Sequence, residues 1–302
     1  MKADRETSYA RPNSLRGTSV ADLEQRRISI NDCQWFYCQV PPSGAEERSP
    51  VILLHDILAQ SYSWRHLLPA LADQGHRAIA PDWPGYGLSD KPDPRDFDYS
   101  PAGLENSLAA FIDALELDTA SLVVQGYLGV VGLQYAIHNS GRIDRIAIVN
   151  TPFYSGAKLS FKLQQLGFPL AGEMLTQDPL CVDRTLEGGG GNVVPDADLD
   201  IYRAPFLKSS AAGRALLSTV RKYKLASLLP ELESGLAKLD KPKLVTWGEN
   251  NSWLSCDKAK DAANALKKTE FTAIANAGHY TQIDNSDRLI EVIPPFFRRQ
   301  VF

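Results

Sequence analysis

The sequence predicts an α/β fold: a mostly parallel, doubly wound sheet with a helical cap inserted into it. Three observations carry this. Short apolar runs such as Val51 to Leu54 alternate with stretches of helical periodicity, and that alternation builds parallel sheets covered by helices on both faces. The rhythm breaks once, from Thr151 to Leu236, where helical segments, several prolines and a run of four glycines replace the strands. The chain has 302 residues, 44% of them hydrophobic, enough for one large α/β core and a lid without disulfide or metal staples.

The elements follow in order. Met1 to about Ala21 is polar, mixes acids with bases, and reads as an arm either loose or laid across the surface. Gln34 to Val40, rich in aromatics, is an early strand, closed by the Pro41-Pro42-Ser43-Gly44 turn. Val51 to Leu54 is a strand buried on both faces. Trp64, Leu67, Leu68 and Leu71 carry helical spacing, Arg77 to Ala80 is the next strand, and Leu104 to Leu115 is an amphipathic helix. Leu122 to Val124 and Ile146 to Val149 are strands flanking a helix from Gly129 to Ile137. After the insertion come strands at Leu244 to Trp247 and Phe271 to Ile274, with a helix between them from about Asp257 to Leu266. A last helix starts near Asp287 and is expected to be interrupted at Pro294-Pro295. The chain thus divides into an arm (1–21), a core (22–150 and 237–302) and a cap (151–236). A cap above the carboxyl ends of the strands roofs the crevice where such sheets bind ligands.

Composition excludes several roles. A net charge of -4 gives no overall electrostatic footprint for nucleic acid or an anionic membrane. No apolar run reaches the roughly 20 residues of a transmembrane helix. The first 25 residues lack a hydrophobic stretch, so no secretory signal is expected; the expected compartment is the cytoplasm, or the plastid stroma if a transit peptide has been removed. Cys33, Cys38, Cys181 and Cys256 have no zinc-site spacing and read as reduced, packing thiols. Cys33 and Cys38, five apart on a strand, belong on opposite faces.

Several segments carry a family likeness. Val51-Ile52-Leu53-Leu54-His55-Asp56 with Ser61-Tyr62-Ser63-Trp64-Arg65 resembles the oxyanion-loop segment of α/β-hydrolases. Ala80-Pro81-Asp82-Trp83-Pro84-Gly85-Tyr86-Gly87-Leu88-Ser89-Asp90-Lys91-Pro92 resembles that family's next strand and loop, and Ala277-Gly278-His279-Tyr280-Thr281-Gln282 its last motif. Within the family the pattern is most similar to haloalkane dehalogenases and epoxide hydrolases, and Tyr202-Arg203-Ala204-Pro205-Phe206 resembles the dehalogenase cap. The likeness runs from about Ile28 to the C-terminus and implies the α/β-hydrolase fold.

At the positions that carry the family's chemistry the sequence departs. The resemblance places the nucleophile, Ser or Asp on a strained strand-to-helix elbow, within Leu122-Val123-Val124-Gln125-Gly126-Tyr127-Leu128-Gly129, at Gly126. Glycine cannot form an ester intermediate. The triad acid falls at Asn251, and the alternative acid site at Asn150; both are amides. Asp56 stands where the oxyanion loop usually has glycine, and Ile57 where dehalogenases carry a halide-binding Asn. Only His279 remains.

Each of these residues admits two readings. Gly126 either only eases a turn at positive φ or marks the end of ordinary hydrolysis, and the two are compatible. His279 is either a hydrogen-bonded relic or a surviving general base; Asp56 is either a solvated loop carboxylate or a new acid partner for it. Tyr127 either lines the pocket or packs under the cap, with His55, Ile57, Phe153 and Trp253 as further pocket candidates. Gly188-Gly189-Gly190-Gly191 reads as a flexible lid loop, and Arg221, Lys222 and Lys224 as a solvated helix face. The functional reading is a non-hydrolytic hydrolase-fold protein that binds a small apolar ligand or a protein partner under or on the cap. The alternative is an enzyme of unorthodox chemistry (lyase, proton transfer or water-mediated hydrolysis) using His279, with Asp56 or Tyr127. Neither calls for a cofactor or a metal, and no nucleic acid partner is expected.

Overall fold

The computed structural model describes residues 23–44, 48–178 and 180–299; the arm expected over residues 1–21 lies outside them. Eight strands form one sheet: β1 (Glu24–Ile30), β2 (Cys33–Val40), β3 (Arg48–Leu54), β4 (His76–Pro81), β5 (Ala120–Gln125), β6 (Ile143–Val149), β7 (Lys243–Gly248) and β8 (Thr269–Ile274). Their spatial order is β1-β2-β4-β3-β5-β6-β7-β8. The pairs β1·β2 and β2·β4 are antiparallel and all the others parallel. Strand β1 has no counterpart in the sequence reading. Its residues, Glu-Gln-Arg-Arg-Ile-Ser-Ile, are mostly exposed on the sheet edge, where polar side chains are tolerated and no apolar run is required.

The helices are α1 (Leu67–Ala72), α2 (Pro101–Ala114), α3 (Gly129–His138), α4 (Phe161–Gly167), α5 (Ala171–Gln177), α6 (Cys181–Leu186), α7 (Asp196–Lys208), α8 (Ser210–Lys222), α9 (Leu225–Lys238), α10 (Cys256–Asn264), α11 (Thr281–Asp284) and α12 (Ser286–Arg298). Helices α4 to α9 form one insertion between β6 and β7. One hydrophobic cluster, containing Cys33, lies on one sheet face; a second, containing Cys38, lies on the other. This is the two-faced burial that the cysteine spacing implies. Burial pushes both thiols up to about 11, so they stay protonated and inert.

Two expectations are corrected. Helix α12 runs unbroken through Pro294 and Pro295. Leu289, Ile293, Phe296 and Phe297 are buried on its inner face, and this packing holds the helix despite the backbone donors lost at the prolines. The tetraglycine segment is not a free lid loop. The Gly189 carbonyl accepts from the N–H groups of Ser252 and His279, at 3.2 and 3.1 Å, and Gly189 is buried.

The insertion is also tied to the core from the other side. Asp198 of α7 accepts from Tyr62 (2.8 Å) and pairs with Arg65 (2.6 Å), while Gln60 donates to the Ile201 carbonyl. Arg221 and Lys222 are exposed and pair with Glu173 and Asp98, as a solvated helix face requires.

Candidate active site

The site gathers at the carboxyl ends of β3, β5, β6, β7 and β8, where doubly wound sheets place their functional groups. Strand β5 ends at Gln125, the chain turns sharply at Gly126, and α3 begins at Gly129. Gly126 has φ +66°, a left-handed conformation that glycine adopts without penalty. Its space is already taken. A Cβ added to Gly126 would lie 2.1 Å from Cγ of Asp56, well inside any permitted contact.

Asp56 reaches this point from the loop after β3. Its Oδ1 accepts the Leu128 N–H at 2.8 Å, and its Oδ2 lies 2.9 Å from Nε2 of His279. Leu128 is the N-cap of α3, so the carboxylate also sits at the positive end of a helix dipole. Both side chains of the pair are 0% exposed. Of the two readings of Asp56, the solvated loop carboxylate is therefore wrong, because the helix terminus and the imidazole together satisfy a fully buried carboxylate.

A profile described as the alpha/beta hydrolase fold matches residues 49–174. The chain is 29% identical over 270 residues to a haloalkane dehalogenase of Psychrobacter cryohalolentis, covering 84% of each protein. It is 25% identical over 313 aligned positions to epoxide hydrolase 1 of Caenorhabditis elegans, covering 96% of this chain and 72% of that one. Haloalkane dehalogenase DbeA from Bradyrhizobium elkani superposes with a TM-score of 0.81 at 24% identity, over 91% of this chain and 98% of that one. The chain has the α/β-hydrolase fold and is similar to haloalkane dehalogenases.

Within this fold the histidine is oriented by amides. Asn251 Oδ1 accepts from the N–H groups of Trp253 (3.1 Å) and Leu254 (3.2 Å), which fixes its amide orientation. Its NH2 therefore faces Asn150 Oδ1 at 3.1 Å and His279 Nδ1 at 3.3 Å. Asn150 is fixed in the same way: Oδ1 accepts the Gly248 N–H, and Nδ2 donates to the carbonyls of Gly278 and His279 and to Thr281 Oγ1. The network leaves one assignment for the imidazole. Nδ1 carries the lone pair and accepts from Asn251; Nε2 carries the proton and donates to Asp56. A hydrolase triad needs the opposite, with Nδ1–H held by the acid and the Nε2 lone pair free for the nucleophile's proton.

A cage of aromatics closes over the pair. Tyr127, Trp253 and Tyr280 have ring centroids 5.2, 4.7 and 5.1 Å from the His279 ring. The hydroxyls of Tyr127, Tyr223 and Tyr280 donate to the carbonyls of Lys158, Tyr127 and Ile57, none of them to Asp56. Burial pushes all three phenols up, and the Asp56 charge adds to it.

The predicted pocket residues divide. Tyr127 and Trp253 reach the site. Ile57 contributes its carbonyl and is itself 0% exposed. His55 lies beside the pair but serves packing: Nδ1–H donates to the Asp56 carbonyl at 2.8 Å, and Nε2 accepts the Trp83 N–H at 3.1 Å. Burial lowers its pKa, which keeps the ring neutral as those bonds require. Phe153 packs on Tyr154 and Trp247, with no ring contact to His279. The sequence reading did not anticipate the Leu128 N–H as the donor to Asp56, nor the seat of Gly189 on His279. The pairing of Asn150 with Asn251 had a signal: both candidate acid positions carry the same amide.

Proposed function

We propose that this chain is a non-hydrolytic member of its superfamily, working by binding a small apolar ligand beneath the cap or a partner upon it. One observation carries the reading: Asn251 presents its NH2 to Nδ1 of His279, which puts the ring proton on Nε2 as a hydrogen-bond donor to Asp56. An imidazole so held has no lone pair facing the elbow, and the elbow itself offers only Gly126. The surface supports a binding role. Of nine exposed large hydrophobic residues among the described ones, eight lie between Phe161 and Leu207, in the insertion, and clustered exposed apolar side chains mark interaction surfaces.

A second reading, an enzyme acting through Asp56 and His279, has its own observation: the Asp56 carboxylate occupies the space a side chain at position 126 would fill. In that reading a carboxylate nucleophile has moved to the neighbouring loop. The orientation of His279 argues against it, since activating a water to hydrolyse the ester requires a base at Nε2.

The test is incubation of wild-type protein with p-nitrophenyl esters, epoxides and haloalkanes, followed by turnover and intact-mass measurement. No burst, no turnover above buffer and no adduct are expected. An alkyl ester, or an acyl group held as a mixed anhydride, mapped to Asp56 would sink the non-hydrolytic reading and install the second.

A further inference from the structure

We propose that the corner between α4 and α5 docks this protein on an anionic lipid surface. This deepens the binding reading above by naming what the cap binds.

The corner carries four large apolar side chains in water: Phe161 at 69%, Phe168 at 52%, Leu170 at 79% and Met174 at 73% exposure. Their spacing places them together. Phe161 opens α4 and Phe168 is its C-cap, seven residues apart and so on one helix face, while Leu163 and Leu166 are buried on the other. Leu170 is the N-cap of α5 and accepts the Met174 N–H at 3.0 Å, the i, i+4 relation of neighbours on a helical surface.

The corner is held in place from within. Gly172 closes so tightly that an added Cβ would lie 2.2 Å from the Leu166 carbonyl and 2.8 Å from a Leu217 methyl. The apolar side chains thus stand out from a braced turn.

Shape and charge choose the occupant. A groove of 380 Å3 opens next to α5, lined by Glu173 and Thr176, and another of 610 Å3 lies between α7 and the loop after β4; none of the four apolar residues lines either. Apolar side chains that stand outside these grooves suit a deformable bilayer interface, where Phe and Leu insert below the headgroups. Lys158 and Lys162 are exposed beside Phe161, and Arg221 donates to the Gly167 carbonyl. Glu173 is the only acid from 155 to 177, and Arg221 pairs with it. Asp178, one residue beyond, pairs with Arg184, and Glu233 reaches Ser155, so Lys158, Lys162 and Arg221 against Glu173 and Glu233 leave the corner with a local excess of positive charge although the chain as a whole is at -4. Local charge decides here, because charges act on a surface within a Debye length of about 8 Å.

The test is sedimentation of the full chain with phosphatidylcholine vesicles, with and without phosphatidylglycerol. The protein is expected to co-sediment, more strongly when phosphatidylglycerol is present. Leu170→Ser with Met174→Ser should release it. Lys158→Gln with Lys162→Gln should weaken partition onto the anionic vesicles by roughly tenfold or more. Leu170, Met174 and Lys158 are exposed, and Lys162 gives up only one surface hydrogen bond, to the Arg184 carbonyl, so the melting temperature should be little changed, which excludes misfolding as the cause. Wild-type protein left in the supernatant with both vesicles would overturn the proposal, as would equal partition onto both compositions. So would a wild-type dimer in solution that the Leu170/Met174 variant converts to monomer, since that assigns the face to a second copy. The assay reads no turnover, so its failure leaves the non-hydrolytic reading standing, and detection of turnover would leave lipid docking standing.

Discussion

The carboxyl group of Asp56 occupies the space above Gly126: a Cβ built on the glycine falls 2.1 Å from Asp56 Cγ and 2.1 Å from Oδ2. The two positions are therefore complementary: one has no side chain, and the other fills the room that one would take.

Single substitutions at the elbow should accordingly fail. Gly126→Ala is expected to cost about 3 kcal/mol, from the clash and from positive φ in a residue with a side chain. Restoring an elbow carboxylate needs Asp56→Gly as well as Gly126→Asp. Melting of the two single variants and the pair gives the coupling; strictly additive effects would contradict the shared space.

His279 should be protonated at Nε2 and not at Nδ1 in the native protein, read from long-range 15N–1H correlations of its ring at neutral pH. Asn251→Asp turns the donor facing Nδ1 into an acceptor, so Nδ1 should gain a proton. Asp56→Asn keeps size but presents an NH2 to Nε2–H, and should cost about 2 kcal/mol or more as a buried polar mismatch. A native Nδ1–H signal would remove the argument for a disarmed base.

The glycine seat on the His279 loop should be intolerant of side chains. A Cβ on Gly190 would meet the Asn250 carbonyl at 1.8 Å, and one on Gly189 would meet His279 Cβ at 2.4 Å. Gly190→Ala should speed amide exchange at Ser252 and His279, whose N–H groups bond to Gly189. Unchanged exchange at both amides would show that the segment does not brace the site.

His138 of α3 bridges Glu105 of α2 (2.6 Å) and Glu231 of α9 (2.8 Å), and its bonds to the two carboxylates raise its pKa above 6.5. A raised folded value means the stabilisation is complete below the unfolded pKa and is lost as pH rises through the folded one. With the side chain 43% exposed, solvent screening limits the effect to roughly 0.5 kcal/mol. The melting-temperature difference between wild type and His138→Gln should shrink as pH rises from about 6 to about 8.5; a difference independent of pH would refute the bridge.

The sequence by itself determined the α/β class, the succession of the inner strands along the chain, and the place of Gly126, Asn251 and His279 in the fold. Buried parallel strands announce themselves as short apolar runs such as Val51–Leu54, and the turn, acid and histidine motifs sit in fixed order behind them. Edge strand β1 escaped because an exposed edge needs no such run. Only the tertiary structure decided the fate of Asp56. Whether a loop carboxylate meets water or an imidazole depends on contacts between residues 223 positions apart, and local pattern carries no record of them. The same holds for the His279 proton, whose position follows from two amide orientations that several backbone N–H groups and carbonyls fix only once the chain has closed around them.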